Sequence, residues 1–571
     1  MTTASSQEVL NATLQKLSSN KARWATRSLR EKRNDLATLL KRTAAAAPDW
    51  VAAAIQAKGV SRGSAGEGEE WISGPWAFEA SLAALLRTLE RLEQRQPVVS
   101  HDHLHQLANG QVVVDVFPST VFDRLLLSGF SAEVWMQPSV TMSNFDDHIA
   151  VAYRKPDPAG GVALVLGAGN IASIPPLDML YELAAENRVA ICKMNPVNEY
   201  LGPIFERIFA PMIEQGFAAV VYGGAEVGAS LVNDARVDKV HITGSALSHD
   251  AIVYGPGVAG STRKQNREPL LNKPITSELG GVGPVIIVPG PWSDADLQFQ
   301  AEHVATQKLH NNGFNCIAAQ VLVLHEQWSL KDRFLAKLEA TMKTIEPRPA
   351  YYPGAKERQA AAVSAHSTVA TMGGGDVPRT RIQNVDSKSA DSAFQTEYFG
   401  SVWAETTLSA SDPASFLAAA VKFANEKLMG TLGAQIRIHP ETARELGPKL
   451  EEAIADLKYG TIGVNAWSGV GFLLANVAWG AYPGHPIHDI QSGRGVVHNA
   501  LLLHETQKNV IRAPFAPFPR SLSLGELHLS PKPAWFVTNK HAATLGRLLC
   551  EFEVAPSFLK LPAIFASALS A

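Results

Sequence analysis

The strongest constraint on the fold is a regular alternation of strand and helix patterns that begins near residue 160. The stretch GGVALVLGAGN (160–170) predicts a buried strand that ends in a glycine-rich turn, and PPLDMLYELAAENR (175–188) predicts the helix after it. The same pair of patterns repeats until VDKVHITGS (237–245), the fourth predicted strand of the series. Strands separated by helices at this pace form βαβ units in a parallel sheet, with ligands beyond the carboxyl ends of the strands. The sequence therefore predicts an α/β fold.

A second α/β section follows PVIIVPG (284–290) and continues to about residue 490. Its apolar spacing predicts helices over 327–345 and 413–427 and a strand over 430–439. With 571 residues the chain is too long for one hydrophobic core, because cores stop growing near ~250–300 residues. We therefore expect two or three domains.

The flanks of this α/β region have their own patterns. Residues 1–60 carry apolar residues at helical spacing, and HIAVAYRKPD (148–157) predicts a strand that stops at a proline-rich turn. After about residue 515 the pattern weakens, and we interpret 516–571 as a separate C-terminal extension. Its apolar last part is more typical of a helix packed on the body or on a neighbouring subunit than of a membrane contact.

Charge and cysteine content exclude several classes of protein. The net charge is −3, from 51 basic and 54 acidic residues, so the molecule as a whole has no positive electrostatic field that would attract nucleic acid or an anionic membrane. Three cysteines are too few for a disulfide framework and indicate a reducing compartment. The first residues lack the apolar stretch of a signal peptide, and no run reaches the ~18–20 apolar residues of a membrane span. We expect a cytoplasmic protein without a membrane span.

No metal site and no phosphate loop are predicted. HDHLH (101–105) has alternating histidines, but no clustered carboxylate or cysteine completes a ligand set, which favours a surface strand or loop. The chain has no GxxxxGK[ST] motif, and GAGN lacks the full dinucleotide fingerprint.

One cysteine stands in a distinctive setting. Cys316 lies within NNGFNCIAAQVLVLHE (311–326), after two asparagines and a glycine and before an apolar run. A lone cysteine in apolar surroundings is usually a small buried hydrophobe, because free cysteine packs like one. Taken alone, this stretch favours a core residue over a nucleophile.

Further motifs follow in a fixed order along the chain, and each by itself is an ordinary turn or strand end. They are Asn170 in GAGNIASIPP, Lys193 in ICKMNP, Gly244 and Ser245 in HITGS, Glu278 in TSELGGVGPVIIV (276–288), Cys316 in NNGFNCIAAQVLVL (311–324), TEYFGSVWAE (396–405) and ANEKLMGTLGAQI (424–436). Together, over roughly residues 140–510, they resemble the aldehyde dehydrogenase superfamily. Six of these motifs, from ICKMNP to ANEKLMGTLGAQI, match in family order, and they change the interpretation of Cys316 from core residue to nucleophile.

The resemblance implies the domain organisation. It predicts a Rossmann-like cofactor domain, an α/β catalytic domain and a small β oligomerisation arm, which together are the aldehyde dehydrogenase fold. The expected boundaries are 1–134 with 159–283 for the N-terminal helices and dinucleotide-binding domain, 284–490 for the catalytic domain, 135–158 with 491–515 for the arm, and 516–571 for the extension. The stretch VVHNALLLHETQKNVIRAPF (496–515) is similar to the late strand of the arm. A homodimer or homotetramer is therefore expected.

The resemblance also implies the chemistry. The Cys316 thiolate would attack the aldehyde carbonyl, a task that suits cysteine because its thiolate is strongly nucleophilic. The Asn170 amide and the Cys316 backbone N–H would bind the oxyanion, and Glu278 would be the general base that hydrolyses the thioester. Leu279 and two glycines follow Glu278, so its carboxyl is expected in surroundings of low polarity, which would raise its pKa.

The cofactor implied by the resemblance is NAD or NADP. Lys193 resembles the lysine that contacts the adenosine ribose, and Gly244-Ser245 fits a turn where a helix N-terminus faces the pyrophosphate. Glu397 and Phe399 resemble the pair that positions the nicotinamide ribose and ring. NAD-preferring members often carry a glutamate where this chain has Pro196, so a 2′-phosphate would not be repelled there. Asn195, Asn198 or Glu199 are possible substitutes, and the choice of cofactor stays open at this point.

The chain departs from the family pattern in three places. The usual tryptophan-asparagine-phenylalanine-proline turn is Ala168-Gly169-Asn170-Ile171 here, which implies a reshaped substrate tunnel. The 32 residues between Ser245 and Glu278 predict an inserted loop over 246–277, more typical of a solvated loop than of a phosphate site despite its Arg263, Lys264 and Arg267. WGAYPGHP (479–486) replaces the usual proline-phenylalanine-glycine-glycine stretch.

The predicted substrate is a small-molecule aldehyde. The expected pocket residues are Ile174, Asp178, Phe314, Asn315 and Trp467. Their aromatic and aliphatic character favours an apolar aromatic aldehyde or one of medium to long chain. Two alternatives stay open. One is a CoA-acylating dehydrogenase or acyl-CoA reductase, because GAGNIASIPP resembles the asparagine turn of those enzymes as closely as that of the hydrolytic members. The other is a catalytically silent structural member.

Overall fold

Helices and a short hairpin form the first part of the chain. The computed structural model describes residues 4–155 and 158–570. A π-helical turn at Ile72–Trp76 joins the third helix to the fourth. The elements are α1 Gln7–Ala25, α2 Leu29–Lys58, α3 Ala65–Trp71, α4 Ala77–Glu93, β1 Leu104–Gln106, β2 Val112–Phe117, α5 Val121–Leu126 and β3 Ser131–Met136.

The predicted alternation of strands and helices is confirmed in the next part of the chain. All five residues of its first strand are buried, as expected for a strand with helices on both faces of its sheet. The elements are β4 Val162–Leu166, α6 Ile174–Ala184, β5 Val189–Lys193, α7 Gly202–Gln215, β6 Ala218–Val221, α8 Ala225–Asn233, β7 Lys239–Gly244, α9 Ala246–Tyr254, α10 Gly257–Asn266 and β8 Ile275–Leu279.

The second α/β section contains the larger number of elements. Its helix at 413–427 has the predicted bounds, because Asp412 caps its N-terminus and Pro413 fits the first turn. The elements are β9 Gly283–Ile287, α11 Asp294–Leu309, β10 Ala319–His325, α12 Lys331–Thr344, α13 Ala355–Ala365, β11 Val369–Met372, β12 Arg379–Val385, β13 Val402–Leu408, α14 Pro413–Lys427, β14 Gly433–Arg437, α15 Pro440–Leu446, α16 Pro448–Asp456, β15 Thr461–Val464 and α17 Gly469–Leu473.

Short strands and three helices complete the chain. They are β16 Trp479–Gly480, β17 Gly493–Arg494, β18 Val496–Val497, β19 Thr506–Arg512, α18 Arg520–Ser523, α19 Ala542–Val554 and α20 Leu561–Leu569. The extension packs on the body of the molecule, as predicted. Gly68 of α3 and Gly546 of α19 permit this contact, because a Cβ on either would lie within about 2.5 Å of the other helix.

Two large sheets organise these elements. The smaller has the strand order β17-β8-β7-β4-β5-β6, in which β4 to β8 are parallel. The larger has the order β1-β2-β3-β19-β15-β14-β9-β10-β13-β12-β11, with a parallel centre and antiparallel ends. The chain passes from one sheet to the other between β8 and β9, through residues 280–282. The carboxyl end of β8 therefore lies where the two sheets meet.

Two sequence predictions are wrong in this part of the fold. The strand expected at 148–157 is replaced by 3₁₀ turns at Phe145–His148 and Val151–Tyr153, and its last two residues lie outside the described part of the chain. Ala150 has a φ of 51°, a left-handed conformation that ends an extended strand. The loop expected over 246–277 contains the two helices α9 and α10.

Strand pairing around the expected oligomerisation arm also differs from the prediction. The hairpin that pairs with β19 is formed by β2 and β3, earlier in the chain than the expected 135–158. The expected late strand is divided into β18 and β19, since three residues between them have left-handed backbones. These residues are His498, Leu502 and Glu505.

Candidate active site

One cavity between the two sheets is lined by every catalytic and cofactor-binding residue that the sequence predicts. Its volume is about 890 Å³. The predicted residues around it are Asn170, Lys193, Gly244, Ser245, Glu278, Cys316, Glu397 and Phe399. They lie on or next to strands of both large sheets, so folding brings together groups that are up to 229 positions apart in sequence.

Cys316 lies in a tight turn between α11 and β10. Asn311 and Asn312 have φ values of 51° and 55°, a region that asparagine tolerates better than most residues. Gly313 follows with a φ of 81°, and a Cβ there would lie 2.4 Å from the Gly400 carbonyl oxygen. The NNG sequence is thus what allows the chain to turn and present a half-buried thiol to the cavity.

Glu278 faces the same part of the cavity from β8 and is 2% exposed. Burial raises the pKa of its carboxyl to about 7, with a further contribution from the negative charge of Asp178. Burial also raises the pKa of the Cys316 thiol well above its ordinary value, and the nearby Glu278 carboxylate adds to that shift. Near neutral pH the thiol is therefore protonated, and the carboxyl beside it exchanges protons readily.

Asn170 is held against the cysteine turn. Its side-chain amide donates a hydrogen bond to the Phe314 carbonyl oxygen at 3.1 Å, which uses one of its two N–H groups. Its backbone carbonyl oxygen accepts hydrogen bonds from Lys58 Nζ at 3.0 Å, Tyr351 Oη at 3.1 Å and Asn311 Nδ2 at 3.2 Å. The remaining amide N–H is available to an oxygen in the cavity.

A buried polar network that sequence reasoning missed supports this turn. Lys58 pairs with Glu70 at 2.7 Å, and both side chains are less than 5% exposed. Glu69 makes two hydrogen bonds to Arg348, at 2.6 and 2.8 Å, and accepts a third from the Asn311 backbone N–H. No local pattern distinguishes these residues from surface charges, because the hydrogen bonds from Lys58 to Asn170 and from Arg348 to Glu69 span 112 and 279 positions of sequence.

The other end of the cavity is lined by small residues and a helix N-terminus. Gly244 and Ser245 are exposed to it, and the Ser245 hydroxyl oxygen caps α9 by accepting the Ser248 N–H at 3.2 Å. A Cβ on Gly244 would meet nothing closer than Ile242 at 3.6 Å, so the glycine borders open space. Lys193 Nζ donates to the Gly223 carbonyl oxygen at 2.8 Å. Backbone N–H groups at a helix start, with small neighbours and a cation, fit a dinucleotide pyrophosphate and ribose.

Glu397 and Phe399 line the same cavity, and Glu397 lies close enough to Glu278 and Cys316 to act on both electrostatically. Glu397 packs directly on Gly280, where a Cβ would lie 1.8 Å from its Oε1 atom. Burial raises the pKa of Glu397 to about 8, and Glu278 raises it further while Lys308 and Arg358 oppose the shift. Phe399 has a φ of 40° and is held by Arg358, which donates to its carbonyl oxygen at 3.1 Å.

The expected substrate-pocket residues divide into two groups. Ile174, Asn315 and Trp467 line a second cavity of about 20 Å³, which also contacts Cys316. Phe314 lines neither cavity and packs against Tyr351 and Tyr352, with ring centroids 5.0 and 5.7 Å away.

The prediction that Asp178 lines the substrate pocket is wrong, because Asp178 is buried behind the cavity wall. It accepts a hydrogen bond from the Thr243 hydroxyl at 2.9 Å and lies 3.4 Å from His241 and 3.8 Å from His498. Burial opposes its ionisation, but the two histidines lower the pKa of Asp178 below its ordinary value. This cluster places a negative charge near Glu278.

The remaining charged motifs lie away from the cavity. Lys264 pairs with Asp250 at 2.7 Å, and Arg263 donates to the Tyr254 carbonyl oxygen at 2.9 Å, so both are engaged within the inserted helices. The histidines of HDHLH are exposed or half-buried on a 3₁₀ turn and β1. Among residues 4–155 and 158–570, the group of potential metal ligands is His148, His504 and Glu505, with ligand atoms within 4.8 Å of one another.

Comparison with known proteins gives consistent matches. A family model described as the aldehyde dehydrogenase family matches residues 83–472. Aldehyde dehydrogenase family 3 member A2 of Mus musculus is 28% identical over 192 residues, 34% of this chain and 36% of that protein. Aminoaldehyde dehydrogenase 1, peroxisomal, of Malus domestica is 25% identical over 298 residues, 50% of this chain and 52% of that protein. The chain thus spans about a third to a half of the length of these curated relatives.

Solved structures match over more of the chain. Lactaldehyde dehydrogenase from Escherichia coli superposes with a TM-score of 0.57 at 15% identity, covering 89% of this chain and 91% of that one. A betaine aldehyde dehydrogenase from Staphylococcus aureus, solved with NAD+, gives a TM-score of 0.58 at 15% identity and covers 89% of each chain. At these identities the likeness concerns the fold. Within the described part of this chain, no helix is both long and apolar enough to cross a membrane.

Proposed function

This chain belongs to the aldehyde dehydrogenase family, and we propose that it oxidises an aldehyde to a carboxylic acid with NAD or NADP as hydride acceptor. One observation carries the proposal. Cys316, Glu278 and Asn170 face one cavity whose other end offers the α9 N-terminus, Lys193 and open space beside Gly244.

The first step in this proposal is attack of the Cys316 sulfur on the aldehyde carbonyl carbon. Because the thiol is protonated near neutral pH, it must lose its proton as the carbon–sulfur bond forms. Glu278, with a pKa of about 7, is the nearby group suited to accept that proton. The product is a hemithioacetal on Cys316 whose oxygen carries the developing negative charge.

The free amide N–H of Asn170 is the side-chain donor suited to that oxygen. Its geometry is fixed in advance, because Phe314 binds the other amide N–H and Lys58 and Tyr351 hold the Asn170 backbone. Donors that need not reorganise during the reaction contribute of order ~3–4 kcal/mol each to transition-state stabilisation.

The nicotinamide, when bound, supplies the acceptor for the hydride that leaves the former aldehyde carbon. Glu397 and Phe399 line the same cavity as Cys316 and the proposed pyrophosphate site, so they are the residues suited to hold the ribose and ring. Gly280 leaves room for the Glu397 carboxyl. Asn195 and Pro196, which line the cavity beside Lys193, are uncharged and support acceptance of a 2′-phosphate, and therefore of both NAD and NADP. The Glu199 and Glu226 carboxylates also act on the Lys193 ammonium, and they would favour NAD.

The last step is hydrolysis of the thioester on Cys316. Once the proton taken up by Glu278 in the first step has passed to solvent, its carboxylate would remove a proton from the attacking water as the carbon–oxygen bond forms. The Cys316 sulfur would leave as the carbon–sulfur bond breaks and regain a proton. A carboxyl with a pKa of about 7 has a sizeable ionised fraction at neutral pH and is still basic enough to accept a proton. This property favours hydrolysis over transfer of the acyl group to CoA.

The substrate in this proposal is an apolar aldehyde, aromatic or of medium to long chain. The small cavity beside Cys316 is lined by Ile171, Ile174, Trp467 and Phe472, which offer apolar contacts and no fixed charge. We also propose that the protein works as a dimer or tetramer. The resemblance to the family supports self-association, which light scattering at micromolar concentration would measure.

The direct test follows reduced-cofactor absorbance with a panel of aldehydes, NAD and NADP, with and without CoA. We expect turnover without CoA in the wild type, with about 10²-fold or greater loss in Cys316→Ser, because a hydroxyl is a far weaker nucleophile than a thiolate here. Turnover that requires CoA would support the acylating alternative, and no turnover under any condition would support a silent family member.

A further inference from the structure

We propose that the C-terminal extension, residues 516–571, encloses a binding site for the hydrocarbon tail of the aldehyde. The site is an apolar cavity between the extension and the N-terminal helices, reached from Cys316 through the small cavity beside it. The inference rests on the proposed function, since it assigns a place to the far end of the same substrate.

The cavity itself has a volume of about 150 Å³. Its walls come from α4, α5, the segment after α17, and helices α19 and α20 of the extension, and most of the lining side chains are aliphatic or aromatic. Representative lining residues are Phe122, Leu126, Leu473, Leu549, Phe552 and Ile564. Without the extension, this side of the α4 and α5 region would face solvent.

The tail cavity is adjacent to the reaction site. Cys316 lines both the 890 Å³ cavity and the small cavity of about 20 Å³. Leu473 forms a wall between the small cavity and the tail cavity, and the consecutive residues Ile72 and Ser73 line one each. A linear chain attached to a carbonyl at Cys316 would enter the tail cavity by displacing the Leu473 side chain.

The size of the cavity indicates the ligand. Protein interiors are packed to the density of organic crystals, so a void of this size in an apolar region is uncommon. An apolar cavity of ~150 Å³ is known to bind a benzene-sized molecule. The cavity therefore has room for a ring or about six carbons of an alkyl chain.

Four charged residues also line the cavity. Arg87 is exposed, and Asp123, Lys532 and Glu553 are half-buried. Burial raises the pKa of the Glu553 carboxyl to about 7, which reduces its charge near neutral pH. Lys532 is already paired with Glu302 at 3.0 Å. The ring of Phe122 also contacts Phe558, which is 60% exposed, at 4.8 Å between centroids. The apolar lining thus extends to the surface, as expected for a site that takes a hydrocarbon.

The test is a substitution in the extension that places a larger side chain in the cavity. Ala568 on α20 lines it, whereas Ala566 on the same helix is exposed and does not. Ala568→Phe adds a ring to a space that is large enough for one, so the variant is expected to fold. Ala566→Phe is the matched control. Ala84→Phe fills the same cavity from α4 and replaces Ala568→Phe if that variant does not fold.

The assay measures kcat/KM for straight-chain aldehydes from butanal to dodecanal. In the wild type, each methylene that enters the cavity should raise kcat/KM about fourfold, from the transfer free energy of a buried methylene. In Ala568→Phe, the ratio of kcat/KM for dodecanal to that for butanal should fall at least about tenfold, and Ala566→Phe should keep the wild-type ratio. A ratio unchanged in Ala568→Phe, or lowered equally in Ala566→Phe, would overturn the proposal.

A binding measurement separates this proposal from the proposed function. Dodecan-1-ol, which cannot be oxidised by attack on a carbonyl, should raise the melting temperature of the wild type and of Ala566→Phe but not of Ala568→Phe. If dodecan-1-ol stabilises these proteins as expected but no aldehyde is turned over, the tail site is supported and the proposed function is contradicted. Turnover that is independent of chain length, without stabilisation by dodecan-1-ol, would overturn the tail site and leave the proposed function standing.

Discussion

At the scale of single residues, the site depends on how Glu278 and Cys316 shift each other's pKa. Burial is the main cause that raises both pKa values. The Glu278 carboxylate raises the pKa of the Cys316 thiol further, whereas a hydrogen bond with Cys316 lowers the pKa of Glu278. Asp178 adds a further negative charge that its two histidine neighbours partly neutralise. The Cys316 thiol therefore keeps its proton near neutral pH, while the Glu278 carboxyl loses its own as the pH rises through about 7.

The pH dependence of thioester hydrolysis should report the ionisation of Glu278. Because its pKa is raised to about 7, the carboxylate that acts as base is lost as the pH falls through 7. We expect the hydrolysis rate to rise with pH through this range and to reach a plateau above it. In Glu278→Gln this rise with pH should be absent, and the hydrolysis rate, measured by single-turnover release of acid, should fall about 10²–10⁴-fold. If Glu278→Gln keeps the wild-type rise with pH, another group is responsible for the titration.

The buried pair Lys58–Glu70 should be important for stability. Removing one member of a buried ion pair leaves the other uncompensated and typically costs about 3–5 kcal/mol. We expect Lys58→Met to lower the free energy of the first urea-induced unfolding transition by that amount. The double variant Lys58→Met with Glu70→Leu should recover part of the loss, because no buried charge is then unpaired. Equal loss in the single and double variants would contradict this explanation.

Sequence reasoning found the residues that face the cavity but not those that hold them. Cys316, Glu278 and Asn170 stand in local motifs, so their neighbours in sequence revealed them. Lys58, Tyr351 and Arg348 act through partners more than a hundred positions away, which no local pattern encodes. Asp178 was assigned to the pocket from its place on α6, and only the structure shows that it points behind the wall.

At the scale of elements, the N-terminus of α9 is the proposed pyrophosphate site. Gly244→Ala tests it, because in the protein alone the added methyl group meets only Ile242 at an ordinary 3.6 Å. We expect an unchanged melting temperature and at least about tenfold weaker binding of NAD and NADP, equivalent to about 1.4 kcal/mol. Titration calorimetry measures both cofactors. Unchanged affinity would place the pyrophosphate elsewhere in the cavity.

The contact between α4 and α19 should make stability depend on pH. Glu79 is fully buried in this contact, and burial, with the negative charge of Glu553, raises its pKa from 4.5 to about 9. A raised folded-state pKa stabilises the fold most below pH 4.5, and this contribution is lost as the pH rises toward 9. The side chain in Glu79→Gln stays neutral. The melting temperature of this variant minus that of the wild type should therefore increase between pH 5 and pH 8.5. A difference that stays constant with pH would contradict the assignment.

The elements themselves were predictable where the hydrophobic period was regular. The alternation from β4 to β7 and helix α14 were predicted because buried parallel strands and capped helices leave clear patterns. The failures at 148–157 and 246–277 have local causes. In the first, a left-handed Ala150 interrupts an alternating pattern; in the second, polar and glycine-rich sequence forms two helices on the surface.

At the scale of the whole molecule, the predicted aldehyde dehydrogenase fold is confirmed by the family match and by the solved structures that superpose on the chain. The division into domains at the expected boundaries stays a prediction. Nothing in the sequence showed that the extension would close an apolar cavity near the reaction site, because its walls come from segments more than 400 positions apart. The extension and the N-terminal helices thus complete a molecule whose chemistry is proposed to occur between the two sheets.

The central claim is that Cys316 carries the acyl group and Glu278 releases it. The most direct measurement is intact-protein and peptide mass spectrometry of the wild type and of Glu278→Gln, quenched in acid during reaction with an aldehyde and NAD. The account predicts one acyl group per chain, attached to Cys316. In the wild type it should form and disappear rapidly, and in Glu278→Gln it should form more slowly, because the thiol lacks its proton acceptor, and then persist. Absence of an adduct while the wild type turns over, or an adduct on another residue, would contradict it.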